Sequence, residues 1–181
     1  LTACAAMSQT PGKRELIVVG NDEKVTINDA GTFVNGAPGK DTVSIIDIGT
    51  DPLAPKIIVS LPLMNSIFGP PTNLAITPDQ KLALVANSME WQKEGEGWKP
   101  GFDNKLYVID LTTDPPALID TITVGKQPSG MSINRAGNLA LVTNRADNSI
   151  AVLRIADKKV TLVDTVMIGE SVTHVVFTPD G

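Results

Sequence analysis

The sequence predicts an all-β fold assembled from repeated four-stranded antiparallel sheets, and three observations carry that reading. The first is a near-copy within the chain: Lys81-Leu82-Ala83-Leu84-Val85-Ala86-Asn87 and Asn138-Leu139-Ala140-Leu141-Val142-Thr143-Asn144. The second is composition. Thirteen Pro and fifteen Gly punctuate runs rich in Val, Ile and Thr, the pattern of short strands joined by turns. The third is the spacing of strands that end at a common position. Thr42–Asp47, Lys105–Asp110 and Ser149–Arg154 are offset by 63 and then 44 residues. The second offset matches the roughly 40–45 residues of one propeller blade. The first is longer because Glu90 to Asp103 is inserted between two strands.

Each unit reads as four strands, A to D. Strand A is Asn73–Thr77, Gly130–Asn134 or His174–Thr178. Turn-forming residues follow it, Pro78-Asp79-Gln80, Arg135-Ala136-Gly137 or Pro179-Asp180-Gly181, where a tight hairpin needs them. Strand B is Leu16–Val19, Leu82–Ala86 or Leu139–Thr143, and C is the strand that carries Asp47, Asp110 or Arg154 at its end. Strand D is Lys56–Leu61, Ala117–Val124 or Thr161–Ile168. Apolar runs in A and B fit strands buried on both faces, and the stronger alternation in C and D fits outer strands. Radial stacking in a β-propeller, with A lining the channel, accommodates such a unit. A hairpin sandwich is the competing all-β reading, but it does not require internal similarity.

The strand count gives B-C-D, A-B-C-D twice, then a lone A: an incomplete propeller of about three blade-equivalents. Blade 1 spans about 13–64, blade 2 about 65–125, blade 3 about 126–169, and 170–181 is the first strand of a next blade. Closure takes at least about four blades. The expectation is therefore either missing C-terminal blades, with Thr178-Pro179-Asp180-Gly181 leading into strand B, or a second copy that closes a six-bladed ring head to tail.

Residues 1–12 are expected to be an exported-protein leader remnant or a disordered tail. Leu1-Thr2-Ala3-Cys4 fits a lipobox, with a lipid anchor at Cys4, and Ala3-Cys4-Ala5 fits ordinary signal cleavage. Both imply a bacterial protein that is periplasmic, outer-membrane-anchored or secreted. No apolar run approaches the roughly 20 residues of a membrane-spanning helix. A net charge of −5 with scattered Lys and Arg argues against nucleic acid as a partner. The single cysteine excludes an internal disulfide. No Cys/His cluster suits zinc and no Cys-x-x-Cys-His suits haem, so no cofactor and no metal are expected.

Leu141-Val142-Thr143-Asn144, a short polar stretch and Asn148-Ser149-Ile150-Ala151-Val152 together resemble the YVTN repeat of bacterial and archaeal seven-bladed propellers. The Thr-Pro-Asp-Gly spacing before strand B fits as well. The resemblance covers roughly residues 16–181. It departs at Ala86, which replaces the motif threonine, at Leu141, which stands where the family has tyrosine, and at the degenerate Val19-Gly20-Asn21. It implies a propeller. The functions it implies are diverse: lactonase-like enzymes, subunits of periplasmic dehydrogenases and proteins of unknown role.

Topology places the D–A and B–C connections on one face. The two long insertions, Asn21–Lys40 and Ser88–Asn104, are both B–C connections, and the long D–A segment Pro62–Thr72 joins them there. These segments hold Phe33, Phe68, Trp91, Trp98 and Phe102, an expected aromatic lid or partner patch; Arg145, in the next B–C connection, is placed with them. His174, the only histidine, is the candidate catalytic base, at the channel rim in register with Asn73 and Gly130. Val172-Thr173-His174-Val175-Val176-Phe177 resembles a Pro-Arg-His-apolar-apolar-Phe segment of lactonase-like propellers, with Val172 and Thr173 in place of proline and arginine. Asn73 is the candidate substrate-orienting residue.

Asn87, Asn144 and Asn148 are expected to cap turns, and Asp47 and Asp110 to build them. Asp22, Glu23, Asn28 and Asp29 read as a solvated acidic loop, since their spacing does not follow a calcium-binding loop. The leading functional reading is an exported binding or interaction module that takes a protein partner or small ligand on the loop-rich face. The alternatives are a lactonase-like hydrolase at the channel mouth or a scaffold subunit of a periplasmic redox enzyme.

Overall fold

Alternating side chains decide where each strand goes. In the computed structural model, which describes residues 15–65 and 73–181, three antiparallel sheets stack face to face. Cys4, the 1–12 segment and Phe68 lie outside the described residues. The first sheet is β1 (Leu16–Asn21), β4 (Thr42–Asp47) and β5 (Lys56–Leu61), ordered β1-β4-β5. A small ribbon, β2 (Val25–Ile27) with β3 (Phe33–Asn35), rises between β1 and β4. The second sheet orders β6 (Leu74–Ile76), β7 (Leu82–Glu94), β8 (Gly97–Asp110) and β9 (Ala117–Thr123). The third orders β10 (Pro128–Ile133), β11 (Leu139–Asn144), β12 (Ser149–Ala156) and β13 (Lys159–Met167). This is the all-β, partial propeller architecture expected, with B-C-D followed by A-B-C-D twice. No helix of the described residues is long and apolar enough to cross a membrane.

The repeat holds in register. Leu84 pairs with Val108 across β7–β8, and Leu141 with Val152 across β11–β12. Period-2 alternation then sends successive residues of one strand to opposite neighbours. From the second sheet, Leu82, Leu84, Ala86, Leu106 and Val108 face the third and meet its Ala140, Val142, Ala151 and Leu153 in one fully buried cluster. The intervening Ala83, Val85, Tyr107 and Ile109 turn the other way and pack on Val18, Val43 and Ile45 of the first sheet. β7, strand B of the second sheet, is thus buried on both sides. Burial also pushes the Tyr107 hydroxyl up to about 12, with the nearby Asp103 charge adding to the effect.

The A–B hairpins repeat down to the hydrogen bond. Gln80 N–H donates to Thr77 O (2.8 Å), Gly137 N–H to Asn134 O (2.9 Å) and Gly181 N–H to Thr178 O (3.0 Å). The donor has positive φ each time, 59°, 71° and 108°, which glycine adopts without steric cost and Gln80 does not. At the same end, the carboxylates closing the C strands build turns. Asp47 accepts from Gly49 N–H at 2.9 Å, and Asp110 from Thr112 N–H at 2.8 Å. Burial raises the Asp110 carboxyl, but Lys158 of the third sheet (2.6 Å) and the Thr112 donors outweigh it and hold the group below its ordinary value.

Two elements depart from expectation. The insertion Ser88–Asn104 is no loop: β7 and β8 run on past the sheet as one long hairpin, paired from Met89–Phe102 to Glu94–Gly97. Alternation of Met89, Trp91 and Lys93 on one face continues the strand pattern, and Gly95, with φ of 56°, makes the tip. The lone A strand at His174–Thr178 joins no ladder. It runs beside β10, where Gly130 N–H donates to Thr173 O at 3.1 Å. The other A strands pair with three and four residues of a partner strand B, and among the described residues none stands beside this one.

Packing on both faces makes equal substitutions unequal. Leu84→Ala, at a fully buried contact between sheets, is expected to cost about 2–5 kcal/mol. Leu141→Ala, the repeat equivalent on the part-exposed outward face of the third sheet, is expected to cost well under half of that. Urea denaturation of the two variants checks the contrast.

Candidate functional site

The loop-rich end is built on a buried ion cluster. Lys24 enters it from the start of the first insertion, just before β2. Its side chain is fully buried and its ammonium contacts the carboxylates of Asp41 and Asp22, the latter at 3.1 Å. Asp41, from the other end of the insertion, also accepts from Glu23 N–H at 3.2 Å and Asn65 N–H at 3.3 Å. Trp91 of the extended hairpin covers the cluster, its ring centroid 5.6 Å from Lys24 Nζ. One lysine therefore ties both ends of the first insertion, the D–A connection and the second insertion together. Burial holds the Lys24 ammonium below the usual lysine value, opposed by the Asp22 charge and hydrogen bond.

Two polar atoms beside the cluster, Trp91 Nε1 and Asn65 Oδ1, are buried and make no hydrogen bond. The Asn65 amide is instead held by its nitrogen, which donates to Thr42 O (3.0 Å) and Leu63 O (2.9 Å). Its oxygen lies against Gly20, where a Cβ would come within 2.4 Å of it. Glycine at position 20 is thus required by close approach.

The predicted aromatic set divides. Trp91 is 6% exposed and its ring covers Lys24, so it belongs to the support beneath the insertions. Trp98 is half-buried with Lys93 Nζ 5.0 Å from its ring. Phe33 and Phe102 are exposed, 73% and 55%, as is Ile27, which pairs with Phe33 across the ribbon. Phe68 lies outside the described residues.

The polar candidates divide as well. Asn73 is buried and donates through Nδ2 to Ala86 O at 2.9 Å, so its amide nitrogen braces strand B rather than facing a ligand. Asn87 donates to Asp103, which Lys105 also contacts at 2.8 Å. Asn144 donates to Ser149 Oγ at 3.0 Å, and Asn148 adopts the left-handed conformation that closes its turn. Arg145 begins the short turn Arg145–Asp147 and is part-exposed. Its backbone N–H donates to Gln127 O at 3.0 Å, and its guanidinium forms no salt bridge among the described residues.

His174 is exposed and crosses the start of β10. A Cβ on Gly130 would come within 2.7 Å of His174 Cα and 3.1 Å of its Nδ1, so the crossing relies on glycine there. No carboxylate contacts His174 among the described residues, and no three His, Cys, Asp or Glu side chains converge there to hold a metal ion. Two open clefts that sequence reading missed, about 210 and 590 Å³, lie at the opposite end around the A–B turns, both bordered by Asp79 and Lys81. Turn residues lining a gap between blades leave no pattern in the chain.

No family model matches the chain, and no curated protein matches it. Solved structures do. A candidate 6-phosphogluconolactonase from Bacteroides fragilis aligns with a TM-score of 0.51 at 15% identity, over 82% of this chain and 40% of its own. Its counterpart from Bacteroides uniformis aligns with a TM-score of 0.51 at 13% identity, over 81% of this chain and 41% of its own. Hydrazine synthase from Kuenenia stuttgartiensis aligns with a TM-score of 0.48 at 16% identity, over 87% and 53%. At these identities the likeness is one of fold alone, a β-propeller. The chain spans about half or less of the length of these structures.

Removing Asp41 leaves the buried Lys24 ammonium with Asp22 as its one carboxylate partner. Asp41→Ala is expected to cost about 3–5 kcal/mol and to red-shift tryptophan emission as Trp91 is exposed; denaturant titration followed by fluorescence checks both. Because the folded-state value of Lys24 lies below 10.5, the unfolded chain binds the extra proton as pH rises toward that value. This group's contribution to stability therefore increases with pH across that window, and Lys24→Met is expected to abolish the increase.

Proposed function

We propose that the protein is an exported binding module that takes a partner protein or ligand on its loop-rich end. The observation that carries the reading is the division of labour within the two insertions. Lys24, Asp41 and Trp91 lock them to the scaffold, while Phe33, Ile27 and Phe102 are left in solvent. Exposed aromatics on a rigid support lose little entropy on binding and supply the large contact area that interfaces favour.

The lactonase-like alternative draws on the place of His174 beside Gly130 and on the names of structures with a similar fold. Against it, general-base chemistry needs an orienting partner for the imidazole and a stabiliser for the developing oxyanion. His174 has no hydrogen-bond partner among the described residues, and Asn73 Nδ2, the residue expected to help it, is committed to Ala86 O.

A photo-crosslinking side chain at Phe33 or Phe102, compared with one at Leu53, which is 94% exposed in a turn at the opposite end, tests the reading in the native host. Discrete adducts at the first two positions and none at Leu53 are expected. Equal labelling at all three would contradict it. Hydrolysis of gluconolactone-type substrates is expected to be the same for the wild type and His174→Ala. A loss of turnover in a folded His174→Ala protein would move the assignment to the hydrolase.

A further inference from the structure

The ribbon of β2 and β3 is a two-stranded sheet with an open edge. Gly36 N–H donates to Lys24 O (2.6 Å) and Asn28 N–H to Thr32 O (3.0 Å). Between these bonds the ladder pairs Val25 with Asn35, Thr26 with Val34 and Ile27 with Phe33. Antiparallel pairs alternate between those that exchange hydrogen bonds and those that do not. Thr26 and Val34 are therefore bonded across the ribbon, while the backbone N–H and C=O groups of Phe33 and Asn35 point away from β2. No further strand pairs with β3 among the described residues, and all three of its residues are exposed.

Elsewhere the chain guards such edges. β5, β9 and β13 each close one side of a stacked sheet. Each carries a bulge, with Ile58, Ile119 or Val163 as the extra residue, and each carries charge, at Lys56, Asp120 or Asp164. Bulges and charged side chains keep an edge from pairing with another chain. β3 has neither. No charged residue lies between Asp29 and Lys40. Phe33 and Val34, 73% and 43% exposed, put apolar side chains on opposite faces of the strand. A two-stranded ribbon gains stability from a third strand, and this one is already held at its base by Lys24 and Asp41.

We propose that β3 accepts an extended segment of a partner protein as a third strand, one that places apolar residues opposite Phe33 and Val34 and carries a lysine or arginine beside them. The proposal rests on the reading of the loop-rich end as a binding surface and gives that binding its mode. Main-chain hydrogen bonds to Phe33 and Asn35 supply the affinity, and side chains on alternating faces supply the selectivity. Charge selects the occupant. Within 22–36, Lys24 is buried against Asp22 and Asp41, which leaves Glu23 and Asp29 as the exposed charges, both negative. A second copy, pairing β3 with β3, sets two acidic ribbons side by side, and like charges across an interface oppose association.

Asn35→Pro tests the mode. The N–H it removes points outward, so proline there deletes an edge donor and spares the β2–β3 ladder. A photo-crosslinking side chain at Phe33, in the native host, is expected to give partner adducts that fall about tenfold with Asn35→Pro, the cost of one unpaired acceptor in the new ladder. Asn35→Thr, which keeps the N–H, is expected to stay at the parent level. Asp29→Lys is expected to lower the adducts about threefold; no change, or a rise, overturns the basic occupant. Slow hydrogen exchange at the Val34 amide shows that the ribbon persists in Asn35→Pro. Where it does not persist, the parent decides: the Phe33 and Asn35 amides are expected to exchange about tenfold more slowly in the purified adduct than in the free chain, and unchanged exchange overturns the proposal. Equal adducts in the parent and a folded Asn35→Pro overturn strand addition and leave the binding surface standing. Absence of adducts at both Phe33 and Phe102 overturns the two together. An adduct of twice the chain's mass makes a second copy the occupant and overturns the partner strand.

Discussion

The second sheet has to hide two faces, and it does so by carrying different side chains on each. Leu82, Leu84, Leu106 and Val108 point one way from the second sheet while Ala83, Val85, Tyr107 and Ile109 point the other. Strict alternation allows this, because one register serves both neighbours and a slip by one residue would exchange the faces. The large aliphatics of one blade then meet the smaller set of the next. With both faces of the second sheet committed, its connections are what remain free.

The two ends have been used differently. At one, short hairpins close with the same hydrogen bond at each A–B turn, and aspartates bind their own turns. The other carries both insertions, and their length would ordinarily cost order. A buried ion pair is a poor source of net stability. Here Lys24 and Asp41 yield something else: four separate stretches of chain are fixed to one another, with Trp91 as the cover. That rigidity is what makes the exposed Phe33 and Phe102 a surface rather than two mobile side chains.

The scaffold was readable because it obeys short-range rules. Leu-Ala-Leu-Val recurs with period 2, and the turn residues fall at fixed offsets from it. The long hairpin was hidden for the opposite reason. Gly95, Gly97, Pro100 and Gly101 suggest a loop, and pairing of Met89 with Phe102 becomes visible only once the tip is placed. Lys24 is a further case. Beside Asp22 and Glu23 it reads as part of a solvated acidic stretch, and the partner that changes its meaning, Asp41, lies 17 residues on. The place of Trp91 in a long insertion suggests a surface and the register of Asn73 with His174 suggests the channel rim, yet an indole also suits a lid over an ammonium and an amide suits a strand brace. Pairwise burial of this kind has no local signature.

The central claim is that the insertion between β7 and β8 is a continuation of the sheet held down by the Lys24 cluster, forming a rigid platform. Hydrogen exchange of the backbone amides in residues 88–104, followed residue by residue, tests it most directly. The account predicts protection that continues from β7 past Trp91 and decays only toward the Gly95 tip, with the same amides exchanging rapidly in Asp41→Ala. Uniformly fast exchange across 88–104 in the unaltered protein would contradict it, because a flexible loop cannot present the aromatic surface described here.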